Sequence, residues 1–110
     1  EQLASPSGLT IMQSLNHGLT LALVGPRRNA VQYGIGNILI AVEMTKHDIA
    51  AGLYAPIRVI LYEGPHGNAI FEYDQPSTTF AVIGNNGVTK IAEALDVQLR
   101  NVLLEVSGSL

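Results

Sequence analysis

The chain has 110 residues, a net charge of −3 and no cysteine, which suits one domain and excludes disulfides, thiolate metal sites and a cysteine nucleophile. Its six basic residues are scattered apart from the pair Arg27-Arg28, so no electrostatic footprint for nucleic acid is present. Charged residues make up 14% against 47% hydrophobic, where an average domain has about 25% charged. With no apolar run long enough to span a bilayer, that surplus points to a protein interface or an apolar pocket.

In chain order, residues 1–8 read as a loose lead-in, and 9–106 as a single α+β domain. "LTIMQSL" over residues 9–15 predicts a strand with Leu9, Ile11 and Leu15 on one face and Gln13 as its polar exception. "NHGLTLALVG" over 16–25 predicts a short helix or turn, capped by Asn16 and ended by Gly25-Pro26. Val31, Tyr33 and Ile35 alternate on a second strand. Asn37 then caps a helix over 38–52, with Glu43, Lys46, His47 and Ala50 on its wetter face and Gly52 closing it in the left-handed region. Strands follow over 56–63 and 68–74, then a short helix over 76–84 led by Pro76 at its first position. From Asn86 onward Val88, Ile91, Leu95, Leu99, Val102 and Val106 recur at helical spacing. The sum is a mainly antiparallel four-stranded sheet with helices packed on one face.

The turn Gly64-Pro65-His66-Gly67-Asn68 sets a hairpin register, because Pro65-His66 suits a type I turn followed by a left-handed glycine. That register pairs Val59 with Tyr73 and Leu61 with Phe71 on the core face, beside Ile57. The other face pairs Arg58 with Asp74, Ile60 with Glu72 and Tyr62 with Ile70. A slip of one residue would mix Glu72 and Asp74 among the apolar residues, so the pattern selects the pairing.

"YGIGN" at 33–37 invites a phosphate-binding reading that the chemistry rejects. A dinucleotide loop needs a third glycine where Leu39 stands, and no acid ends a following strand. The simpler assignment makes Gly34 a close-approach or bulge residue and Gly36 the turn into an Asn-capped helix.

The stretch "YGIGNILIAVEMTKHDIAAGLYAPIRVILYEGPHG…FEYDQPS", with Asn16-His17-Gly18 upstream, resembles the family catalogued as domain of unknown function 302 over roughly residues 9–104. In that family a strand ends in a Gly-Asn-Pro turn, a helix carrying a Met follows, and a Leu-x-x-Pro-x-Arg strand leads to a Tyr-Asp-x-Pro-Ser turn. Here Ile38 replaces the proline, and residues 1–8 are too few for the helix that usually precedes the first strand. The resemblance implies an antiparallel sheet with helices on one face, often seen as a dimer, and implies no established activity.

Candidate site residues are few. Glu43 and His47 stand four apart, which is metal-ligand or acid–base spacing, with Asp48 and His17 to complete a set. The simpler reading is an exposed carboxylate–imidazole pair, so no metal site and no cofactor is expected. His17 follows a strand end, where sites are often built, and is a candidate general base; its plainer role is a helix-start residue bonded to backbone. Arg58 near Leu53-Tyr54-x-Pro56 suits a carboxylate or phosphate, with Asp74 as its competing partner. Ser77 lacks a glycine elbow and a base.

Two functions compete. The favoured one is a non-catalytic, self-associating domain that holds a small apolar or amphipathic ligand between sheet and helices, with His17, Asn37, Glu43, Tyr54 and Arg58 around it. The alternative is a small hydrolase, isomerase or lyase using His17 with Glu43 or Arg58. A shared site for His17, Asn37 and Glu43 requires their strands to leave the sheet at the same end. A homodimer is expected, through the outer sheet face at Ile60, Tyr62 and Ile70. No signal peptide is recognisable and the chain does not begin with Met, so localisation stays open, a soluble, cytoplasmic setting being slightly favoured.

Overall fold

The structure, a computed structural model, describes residues 2–4, 8–26 and 28–108. Five antiparallel strands lie in the order β1-β2-β3-β4-β5: β1 (Gln2–Ala4), β2 (Leu9–Asn16), β3 (Ala30–Gly36), β4 (Ile57–Glu63) and β5 (Ala69–Tyr73). The four strands expected from the sequence are all present. The fifth, β1, comes from the lead-in expected to be loose: Gln2–Ala4 pairs antiparallel with the start of β2. The alternation that marks a strand is not visible in three residues, and only the free edge of β2 recruits them.

The β4–β5 hairpin has the register its turn requires. Val59 faces Tyr73, Leu61 faces Phe71, Ile60 faces Glu72 and Tyr62 faces Ile70. Gly67 has φ 79°, and the backbone closes with Gly67 N donating to Gly64 O at 3.0 Å and Gly64 N to Asn68 O at 2.7 Å. A left-handed residue without Cβ costs nothing there, where most side chains would clash.

On β2 the sequence pattern misleads. A bulge between Ile11 and Gln13 interrupts the pairing with β3, so that Ser14 comes opposite Tyr33 and Leu15 opposite Gln32. One extra residue shifts the alternation by one. Leu15 therefore leaves the Leu9–Ile11 face and stands on the outer side, exposed, while Leu9 is buried. Across from the bulge Gly34 makes a close approach: a Cβ there would come within 2.6 Å of Gln13 Cγ and 2.7 Å of Pro56 Cγ.

The helices are α1 (His17–Leu21), α2 (Ile38–Thr45), α3 (Pro76–Phe80) and α4 (Asn86–Gly108). Asn16 caps α1 by accepting from Leu19 N, but the helix ends at Leu21 rather than Gly25, and residues 22–26 are turns. The single helix expected over 38–52 is divided. It stops at Thr45, whose hydroxyl donates back to Ala41 O at 3.0 Å. Asp48, in extended backbone, then accepts from Ala50 N and starts a separate 3-10 turn over Ile49–Tyr54. An Asp side chain offers the backbone a new start, and here it wins over continuation. Gly52 is not left-handed; among the described residues only Gly8, Gly67 and Gly84 have positive φ.

The core lies between one sheet face and the helices. Leu9, Ile35, Ile57 and Val59 meet Phe80 of α3 and Val88, Ala92, Leu95, Leu99, Val102 and Leu103 of α4. At its start α4 leans on the α2 exit: Asn85 donates to His47 O at 3.3 Å, and a Cβ at Gly87 would sit 2.7 Å from the His47 ring. Among the described residues no helix is long and apolar enough to cross a membrane.

Candidate functional site

Where β3 leaves the sheet and β4 enters it, a cavity of about 270 Å³ opens between sheet and helices. Ile35 and Ile57 form its sheet wall, Ile40 and Met44 of α2 one side, Leu95 of α4 its back, and Met12 of the β2 bulge its rim. Ile35, Met44 and Leu95 are buried. Both methionines of the chain lie here, and thioether side chains adapt to irregular apolar shapes. The wall is apolar except for Asn37.

That asparagine is committed to structure. Its Oδ1 accepts from Leu39 N at 2.8 Å and Ile40 N at 3.3 Å, and its Nδ2 donates to Gly8 O at 2.8 Å. The amides a phosphate would use at the start of α2 are thus taken by the cap itself, and Gly36, outside the left-handed region, is not the turn expected from the sequence but the last residue of β3, paired with Thr10.

A second, open groove of about 300 Å³ lies across the outer sheet face, over Ile60 and Gln32, with His17, Arg58, Glu72 and Asp74 on its walls. Arg58 Nε meets Asp74 Oδ2 at 2.6 Å, the partner expected from the register. Both side chains are exposed enough that the pair contributes well under about 1 kcal/mol. Glu72 accepts from the Tyr62 hydroxyl, and that bond, with some burial, raises the tyrosine above its ordinary phenol range. Tyr54 meets Arg58 only in a third depression beside Leu53 and Thr79. Its ring packs edge-on against Phe80 with centroids 5.9 Å apart.

The residues selected from sequence therefore do not form one site. β2 and β3 are adjacent and antiparallel, so His17, after Asn16 opposite Val31, and Asn37, after Gly36 opposite Thr10, sit at opposite ends of the sheet. Glu43 is exposed on α2 and bound to Lys46 at 2.6 Å; the lysine's hydrogen bond and charge hold its carboxyl below the usual range. It shares neither the cavity nor the groove with His17. His47 lies past the end of α2, so the expected Glu43–His47 helix face does not form. Among the described residues no three His, Asp or Glu side chains gather as a metal set. Of the selected residues, Arg58 alone meets others: His17 in the groove and Tyr54 in the third depression. What sequence reasoning missed is the apolar set Met12, Ile35, Met44 and Leu95. These lie on four elements, and no local pattern links them.

The sequence signature described as "Domain of unknown function DUF302" matches residues 1–106. Among solved structures the chain is similar to one titled "Crystal structure of uncharacterized conserved protein DUF302 from Bacillus stearothermophilus". The two are 15% identical, with a TM-score of 0.82 over 94% of this chain and 81% of that one; at that identity the likeness concerns the fold. No curated protein matches the chain.

Proposed function

We propose, for a chain that belongs to the DUF302 family, a non-catalytic role: it holds a small apolar or amphipathic ligand between sheet and helices, and it self-associates. The observation that carries the first part is the cavity at Ile35, Ile57, Met44 and Leu95. Its volume, about 270 Å³, is just below the roughly 300–1,000 Å³ of small-molecule sites, which suits a small ligand, and it offers no free polar side chain, since Asn37 is spent on its cap. Recognition there rests on shape and apolar burial, with any polar end of the ligand left at the Met12 rim. Titration with a medium-chain fatty acid, followed by intrinsic tyrosine fluorescence and by native mass spectrometry of protein from its own host, tests it. Binding is expected, and Ala41→Phe, which fills the cavity from α2, is expected to weaken it about tenfold or more while Met44→Ala enlarges the site. Wild type that binds no apolar probe and carries no ligand from its host overturns the reading.

Self-association is supported by a different surface from the outer sheet face. Ile60, Tyr62 and Ile70 are half-buried within one chain, so that patch is smaller than its register implied. Larger bare side chains stand on α2 and the 3-10 turn: Leu39 is 75% exposed, Ile49 83% and Leu53 78%. A second copy over these residues accounts for a helix that is apolar on both faces.

The enzyme alternative keeps one supporting observation, the meeting of His17 and Arg58 in the groove. Its Glu43 version loses its geometry. Turnover of a small ester or carboxylate substrate that vanishes in both His17→Gln and Arg58→Gln would establish it in place of the first reading.

A further inference from the structure

The connection from β2 to β3 carries an apolar tip that neither the cavity nor the groove uses. Leu23 and Val24 are 83% and 85% exposed, and Leu19 and Leu21 are exposed beside them. No charged residue lies between His17 and Pro26. The tip is held out on a fixed base. Asn16 Oδ1 accepts from Leu19 N at 3.1 Å, and Gly18 is buried with its Cα against the Arg28 carbonyl, where no Cβ fits. On the return side Glu63 N donates to Asn29 O at 2.9 Å and Arg28 Nη2 donates to Glu63 O at 3.3 Å. A loop tied at both ends to the sheet keeps its aliphatic side chains in water by construction.

We propose that this tip docks the protein onto an anionic lipid surface, with Leu19, Leu21, Leu23 and Val24 entering the headgroup–acyl boundary and Arg28 at its base meeting lipid phosphates. The charge pattern selects lipid over a second copy. Arg27 and Arg28 follow the tip directly in sequence, and no Asp or Glu occurs between Glu1 and Glu43. Arg28 is in neither of the ion pairs among the described residues; its partner is a neutral carbonyl. The β4–β5 turn at the same end of the sheet adds His66, and the acid there, Glu63, accepts from the Asn29 amide. Two copies meeting tip to tip would bring like charges together, whereas an anionic membrane satisfies both the aliphatic side chains and Arg28.

Co-sedimentation of the whole chain with phosphatidylcholine vesicles, with and without phosphatidylglycerol, tests the proposal. Wild type is expected to bind the phosphatidylglycerol vesicles more strongly, and less so as salt rises. The double variant Leu23→Asp/Val24→Asp should lose about tenfold or more of that binding, and Arg28→Gln about fivefold, with far-ultraviolet circular dichroism unchanged in both because these side chains do not pack in the core. Val97→Asp, on the exposed side of α4, should bind vesicles as wild type does. Wild type that stays in the supernatant with both vesicle types overturns the proposal, as does a Leu23→Asp/Val24→Asp variant that binds normally. Loss of self-association in that variant by light scattering, with no change in vesicle binding, assigns the tip to a second copy instead.

Discussion

Two helices pack against the same core and use their apolar residues in opposite ways. On α4 these residues recur at helical spacing, and Val88, Ala92, Leu95, Leu99, Val102 and Leu103 are buried. The opposite face carries Lys90, Glu93 and Arg100 in solvent. On α2 the apolar residues run around the whole helix, only Met44 is buried, and Ile38, Leu39 and Val42 are bare. A periodic stripe identifies a core face because one side of a helix can be covered while the other is wet. A helix apolar all round contains more than the core needs, and in the single chain its surplus is left exposed.

The largest effect that separates the two is truncation. Leu99→Ala on α4 removes a side chain 1% exposed and should destabilise by about 2–5 kcal/mol in urea melts. Leu39→Ala on α2 should stay within about 0.5 kcal/mol for the isolated subunit. Equal losses at the two positions would mean that Leu39 packs within one chain and would remove the contrast.

Next in size is the association that the bare face of α2 supports. Leu39→Asp should turn a micromolar dimer into a monomer by light scattering, with the urea midpoint of the monomer unchanged. A dimer that survives Leu39→Asp but dissolves with Ile60→Asp returns the interface to the outer sheet face.

The start of α2 gives a smaller effect. Asn37→Ala removes a cap on two amides and the link to Gly8, and should cost about 1 kcal/mol. The change should appear as faster amide exchange in α2 than in α4. Uniform exchange across both helices would show that they open as one unit.

The smallest effect concerns charge at the far end of α2. Lys46 holds the Glu43 carboxyl below its usual range, so whatever stability the pair contributes is present above the unfolded carboxylate pKa and fades as pH falls through the folded one. Lys46→Met should move the Glu43 titration, followed by NMR, up toward an ordinary glutamate, with almost no change in the melting temperature. No movement would place the cause elsewhere than in the lysine.

Much of the architecture was written locally. The period of α4, the turn residues Pro65-His66-Gly67 and the cap at Asn37 each constrain only nearby backbone, so they act the same way before and after folding. The hairpin register followed from the turn and from the need to keep Glu72 and Asp74 out of the core. Where a competing local signal sat inside a longer pattern, the longer pattern lost: Asp48 restarts the chain inside the expected 38–52 helix, because its side chain bonds a new first turn.

The tertiary structure decided what no window of sequence contains. The extra residue at Met12 moves Leu15 to the outer face only because β3 is there to register against. The antiparallel neighbours β2 and β3 send His17 and Asn37 to opposite ends of the sheet, which separated a site that residue types alone had suggested. The same pairing brings Met12, Ile35, Met44 and Leu95 around one cavity. Pairing across the sheet sets which distant residues meet, and apolar burial, being non-directional, leaves no motif in the sequence to announce the meeting.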